Sequence, residues 1–362
     1  MRYLDEFRDH GLVRPLVEEL HRTVDRPLRI MEVCGTHTMA IFRHGIRSLL
    51  PEEIELVSGP GCPVCVTPQG YIDTLLQLAR QPDIIVATFG DMLRVPGSGG
   101  SLAGIRAEGG RVELVYSPLD ALALAREEPE QQVVFVSVGF ETTTPTIAAT
   151  LLQAAGLGVD NFSILVGNKV MIPPLRALMN DPELHLDGLL CPGHVSVIIG
   201  ADSYGFLAEE YGLACAVAGF EPTDILQGIL ELARQVREGK ARVANCYGRA
   251  VRGSGNGRAR QLVEELFMPA DVAWRGLGTI PASGLELRPG FADFDALHRF
   301  GLSMARSPEP PGCRCGEVLR GICRPGDCPL FGSGCTPARP VGPCMVSSEG
   351  TCAAWFRYGD SR

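Results

Sequence analysis

From residue 311 to 352 the chain reads PGCRCGEVLRGICRPGDCPLFGSGCTPARPVGPCMVSSEGTC, which holds seven of its 13 cysteines: Cys313, Cys315, Cys323, Cys328, Cys335, Cys344 and Cys352. A segment this dense in Cys, Pro and Gly has too little apolar periodicity to fold around a hydrophobic core, whereas thiolate ligation of a metal or cluster fixes several loops at once. Structural zinc sites usually present paired CxxC knuckles. This segment has none, only one CxC and widely spaced single thiols. Four thiolates from separate loops suit an iron-sulfur cluster, and surplus thiols allow redox exchange beside it. Which four of the seven would ligate stays open at this level.

A second group of sulfurs lies near the start. GPGCPVCVTP holds Cys62 and Cys65 as a CxxC with Pro63 inside it, directly before an expected helix over Pro68 to Arg80. The positive end of a helix dipole favours thiolate, and with it nucleophilicity or metal affinity. In CGTHT, Cys34 ends an expected strand and His37 follows three residues later, so a soft metal ligand and an imidazole share a small volume. Glu141 in GFETT and His194 in CPGHVS stand at equivalent strand ends of a second unit, and neither is needed to cap a helix. Cys191, Cys215 and Cys246 stand alone and read as small buried hydrophobes.

These residues need a frame that gathers them. After an amphipathic segment over residues 3 to 24, short apolar runs recur: LRIMEV (28–33), IELVS (54–58), DIIVATF (83–89), VELVYS (112–117), VVFVSV (133–138), FSILVG (162–167), DGLLC (187–191) and ACAVAG (214–219). Stretches of helical spacing separate them, such as GYIDTLLQLAR and PTDILQGILELARQVREG. Continuous apolar runs alternating with helices read as buried parallel strands joined by crossovers. The fold class is α/β: two Rossmann-like parallel-sheet domains of four strands each, over residues 1–120 and 121–240, plus a Cys-rich C-terminal domain over 241–362. CGTHT, GPGCPVC, FGDM, GFETT, GNK, CPGHVS and GFEPTD all follow expected strands. That edge of an open parallel sheet is where ligands sit. The stretch ELFMPADVAWRGLGTIPASG, by contrast, looks irregular.

Several function classes are excluded. A net charge of -9 argues against nucleic acid as a partner, and no apolar run approaches the about 18 residues of a membrane span. The opening MRYLDEFRDHGLVRPL lacks the apolar core of an export signal, so a reducing, cytoplasmic setting is expected. There is no GxGxxG after the first strand, no GxxxxGK[ST] and no GxSxG.

Taken together, CGTHT, GPGCPVCVTP, FGDMLRVPG, GFETTTP, PGHVSVIIG, GFEPTDIL and CTPARPVGPCMVSSEGTC resemble the HypD family of nickel-iron hydrogenase maturation factors, in that family's order and across nearly the whole chain. The resemblance implies an assembly scaffold with redox activity rather than a conventional enzyme. On it, together with a small HypC-type chaperone, a single iron acquires two cyanides and one carbonyl, the cyanide coming from a HypE-type donor. It implies a 4Fe-4S cluster on Cys313, Cys328, Cys335 and Cys352, with Cys315 and Cys344 as a nearby redox pair, a layout similar to ferredoxin-thioredoxin reductase. Cys323 falls outside that pattern.

The resulting expectation puts the transient mononuclear iron on Cys34 beside Cys62 and Cys65, with His37 orienting or protonating and Glu141 and His194 on the opposite rim. Two alternatives remain: a cluster-dependent thiol-disulfide oxidoreductase without mononuclear iron, and a zinc-stapled binding module.

Overall fold

The computed structural model describes residues 5–359. All eight apolar runs are strands: β1 (Leu28–Glu32), β2 (Ile54–Ser58), β3 (Ile84–Thr88), β4 (Val112–Leu114), β5 (Gln132–Gly139), β6 (Phe162–Asn168), β7 (Gly188–Pro192) and β8 (Ala214–Ala218). A short β9 (Val243–Asn245) and the antiparallel pair β10 (Phe267–Trp274) and β11 (Gly278–Leu287) follow. β3 and β8 are buried along their whole length, because helices cover both faces of each sheet. This is why they read as unbroken apolar runs.

The two parallel sheets run β2-β1-β7-β8-β9 and β4-β3-β5-β6. They are α/β units as expected, with five and four strands, but they do not divide the chain at residues 120 and 240. The chain lays down β1 and β2, leaves to build the whole second sheet, and returns so that β7 pairs with β1 through Ile30↔Gly188 and Glu32↔Leu190. β9, beyond residue 240, closes the edge of the first sheet. Apolar periodicity identifies a strand but carries no information about its neighbour, and sequential pairing is only the commoner outcome.

Of the N-terminal amphipathic segment, His10–Thr23 is helical and packs against the helix Pro222–Glu238, while residues 1–4 lie outside the described residues, as do 360–362. Ser117 and Asp120 form a reciprocal capping box at the helix Pro118–Glu127, with Pro118 in the first turn. Among the described residues no helix is long and apolar enough to cross a membrane.

The segment expected to be irregular is the β10–β11 hairpin, whose Pro269, Gly276, Gly278 and Pro281 hide the alternation of burial along β10. Arg275, buried at its tip, ties it to the loop after the CxxC: Nε donates to the Thr67 carbonyl at 3.0 Å, Nη2 to Gln69 Oε1 at 3.1 Å, and Nη1 pairs with Glu309. Truncating a buried, paired guanidinium strands its acceptors. Arg275→Ala is therefore expected to lower stability by about 3 kcal/mol, read as a fall in the urea midpoint.

The Cys-rich tail does not stand apart. Its last helix, Thr351–Tyr358, lies on the helix Gly35–Arg43, with Trp355 edge-on to Phe42 at 5.5 Å and the Arg47 guanidinium over both rings. Arg320 pairs with Asp181 at 2.5 Å, and Arg29 donates to the Gly321 carbonyl at 2.7 Å. The tail thus straps the first sheet at the edge where CGTHT and GPGC emerge.

Candidate metal and thiol site

Cys34 caps the N-terminus of the helix Gly35–Arg43, where β1 ends. The GPGC loop after the neighbouring β2 runs so close that a Cβ on Gly61 would lie 2.2 Å from the Cys34 nitrogen, and the Gly35 N–H donates to the Gly61 carbonyl at 3.1 Å. Only glycine fits that approach. It brings Cys62 alongside, since a Cβ on Gly35 would stand 3.2 Å from Cys62 Cβ. Three carboxylates surround this meeting point. Glu32 accepts from Thr38 Oγ1 at 2.6 Å and from the Cys34 N–H at 3.4 Å; Glu349 accepts from Thr36 Oγ1 at 2.5 Å; Asp91 accepts from Ser347 Oγ at 3.0 Å and the Ser348 N–H at 2.9 Å. Burial, reinforced by Glu349 and Glu32, pushes the Cys34 thiol up to about 12. Burial likewise pushes Glu32 up to about 7.

His37 is fully buried. Its Nε2 faces the carbonyl oxygens of Ala218 at 3.2 Å and Gly219 at 2.8 Å, so Nε2 donates. Burial lowers its pKa to about 4, which leaves Nδ1 as a buried acceptor with no partner. His194 does not face Cys34 from an opposite rim. Because β7 is the direct neighbour of β1, His194 lies on the same sheet edge as His37, and Phe220 stacks between them with ring centroids 3.9 and 4.8 Å away. His194 is exposed, yet Phe220 covers one face of the ring and that desolvation lowers its pKa. Glu141, at the end of β5, does belong to the second sheet. Its Oε1 accepts from the Met171 N–H at 2.8 Å, while Oε2 is buried without a partner.

From Cys62 a line of sulfur runs into the tail. Cys62 Sγ is 3.3 Å from Ser347 Oγ and accepts the Cys65 N–H at 3.2 Å. Cys65 touches both Cys62 and Cys344, and the sulfurs of Cys315, Cys344 and Cys352 lie within 4.8 Å of one another. Cys344 is the hub. Hydrogen bonds from Cys315, Cys352 and Cys65 favour its thiolate, and the Cys352 N–H adds a bond of 3.2 Å. Burial pushes Cys65 up instead, so the thiolate expected at the CxxC from its helix dipole stands one sulfur further along.

Cys313, Cys315, Cys328, Cys335 and Cys352 line one small cavity of about 20 Å³, with Val318, Leu330, Phe331 and Met345 among its walls. An all-sulfur donor set in a dry pocket suits a soft metal or an iron-sulfur cluster. The Val341 N–H pointing at Cys335 Sγ, 3.3 Å away, is the kind of bond that stabilises a ligating thiolate. A Cβ on Gly342 would come within 3.1 Å of both Cys313 and Cys315 Sγ. Cys323 faces a different cleft, with Arg47, Ser58 and Trp355. Cys191 and Cys215 are buried as expected, whereas Cys246 is only partly covered.

Residues 11–359 match the family model HypD, described as the hydrogenase formation hypA family. The chain is 48% identical to the hydrogenase maturation factor HypD of Escherichia coli (strain K12) over 366 residues, covering 99% of this chain and 98% of that protein. It is 47% identical to the same-named factor of Azotobacter vinelandii, covering 100% and 98%, and 45% identical to that of Rhodobacter capsulatus, covering 100% and 99%. The chain belongs to the HypD family. Hydrogenase maturation is thus the process to which the family of this chain belongs.

Within this HypD-family chain Glu32, Asp91, Ser347 and Glu349 join the site without a signal of their own in the sequence, although Asp91 lies in FGDM and Ser347 and Glu349 in SSEG. Glu141 has a measurable signature. Burial raises its carboxyl from 4.5 to about 7, so the folded state keeps a proton that the unfolded chain releases. The stability this supplies is intact below about pH 4.5 and lost as pH rises through about 7. Glu141→Gln is expected to remove that slope and to exceed the parent at pH 8 by up to about 3 kcal/mol, read from unfolding midpoints across pH.

Proposed function

We propose that this chain is the scaffold on which a single iron receives its cyanide and carbonyl ligands during hydrogenase maturation, held by Cys34 and by a cysteine of a small HypC-type chaperone. The observation that supports the reading is the close approach of the CGTHT and GPGC loops, which brings the backbone at Cys34 against the loop that carries Cys62, near Glu32, Glu349 and Asp91. Carboxylates near Cys34 would attract a ferrous ion, and ligation displaces the thiol proton that burial otherwise holds in place. Thiolate donation makes the iron electron-rich, which favours strong-field diatomic ligands. Cyanide would come from a HypE-type donor. His37, with Nδ1 open as a hydrogen-bond acceptor, would orient groups nearby rather than take protons, and Glu141 and His194 would line the approach.

The thiols lining the tail pocket support a resident 4Fe-4S cluster, for which Cys313, Cys328, Cys335 and Cys352 are the ligands we propose and which when bound would supply single electrons to neighbouring thiols. The protein's own step is thiol-disulfide exchange. The Cys344 thiolate attacks the Cys65 sulfur of a Cys62–Cys65 disulfide, and Cys62 leaves and takes a proton. Cys315 then attacks Cys344, forming Cys315–Cys344 and releasing Cys65, so two electrons move toward the iron pocket.

The test is an infrared spectrum of the anaerobically purified complex with the chaperone. Bands in the cyanide and carbonyl region are expected. A cluster-dependent thiol-disulfide oxidoreductase has the same line of thiols but gives no such bands, and their absence would overturn the iron assignment.

A further inference from the structure

The GNK motif takes no part in that reading, yet it opens onto a cavity of about 520 Å³ beside the helix that follows the CxxC. One wall is Pro68 and Tyr71, before and within the helix Gln69–Ala79; a second is the C-terminal end of β6. The hairpin β10–β11 and the strap Met304 to Arg306 complete it. The carboxyl ends of parallel strands are where such sheets bind ligands, and the volume falls among those of small-molecule sites.

What sets this cavity apart is Lys169. Its side chain is buried, at 4% exposure, and lines the cavity. Nζ donates to the Ala273 carbonyl at 2.7 Å and stands 5.1 Å from the centre of the Trp274 ring. Among the described residues no carboxylate pairs with it, although an ammonium has three hydrogens to donate. The backbone is pinned on both sides: the Lys169 N–H donates to the Gly139 carbonyl at 2.9 Å, and the Val170 N–H to the Ser283 carbonyl at 3.0 Å. Arg306, exposed at the mouth, brings a second cation. The acid at the mouth, Asp271, is engaged by the Ala282 N–H at 2.8 Å. Val166, Val272, Leu285 and Met304 supply apolar wall.

Burial without a counter-ion lowers the pKa of the Lys169 ammonium to about 7, and the open space beside Nζ is where an anion would restore its charge. We propose that this cavity is a binding site for a small organic anion, its carboxylate or phosphate head on Lys169 and Arg306 and its apolar body against Val272, Leu285 and Met304. The site is separate from the thiol line and does not depend on the iron reading.

The test uses the full chain, purified anaerobically and titrated calorimetrically with succinate and, separately, with inorganic phosphate. Saturable binding of either probe is expected, and the two arms distinguish a carboxylate from a phosphate head. Lys169→Met should weaken binding at least about tenfold while holding or raising the unfolding midpoint, which separates a lost ligand from a lost fold. Arg306→Glu, at an exposed position, should also weaken it and remains informative should Lys169→Met fail to fold. Failure of both probes to bind below about 10 mM, or parental affinity in either variant, would overturn the proposal.

Discussion

Cys34→Ala is expected to abolish the cyanide and carbonyl infrared bands of the complex with the chaperone. The side chain is 6% exposed and its sulfur packs at the turn from β1 into the helix Gly35–Arg43, so its loss leaves a cavity smaller than a methylene pair and costs about 1 kcal/mol. The fold should survive, and visible absorption from the cluster proposed for the tail should be retained, because none of the thiols lining the tail cavity is touched. The iron should not stay. Even residues that merely orient a ligand change metal affinity by about 10–100-fold, and removing the ligand itself should reduce the bands at least about a hundredfold. Cys246→Ala is the control, as that thiol is partly exposed at the far edge of the first sheet and should leave the bands at parental strength. Full-strength bands in Cys34→Ala would place the iron elsewhere.

What could be read from the residues follows from how local each signal is. β5 and β8 announce themselves because burial on both faces demands an unbroken apolar run. Cys34, Cys62 and Cys65 could be associated because β1 and β2 are consecutive and paired, so their loops leave the same edge. The pairing of β7 with β1 had no such signal, and with it went the position of His194, which stands beside His37 rather than opposite. Glu349 meets Thr36 across 313 residues of sequence, and Asp91 meets Ser347 across 256. Short polar residues at such separations have no periodicity to betray them. For Cys344 the CxC and the single thiols gave only a pool of candidates and the family resemblance paired it with Cys315, but its contact with Cys65, which makes it touch three other thiols, comes from the folding back of the tail.

That hub yields the sharpest separation of the two proposed inorganic centres. Cys344→Ser is expected to block reduction of a Cys62–Cys65 disulfide while keeping the four proposed cluster ligands Cys313, Cys328, Cys335 and Cys352. Serine keeps the volume and can still accept the Cys352 N–H, so packing changes little. A hydroxyl at this position does not attack sulfur, however, and the exchange between Cys65 and Cys315 loses its only shared neighbour among the described residues. After oxidation and then anaerobic dithionite, alkylation and mass spectrometry should find Cys62 and Cys65 reduced in the parent and still joined in the variant, a difference of at least about tenfold in reduction rate. The infrared bands should fall with it if the iron pocket draws its electrons through this line. Should Cys62 and Cys65 be reduced as fast in Cys344→Ser as in the parent, electrons reach them by another path, and the contact between Cys65 and Cys344 is packing alone.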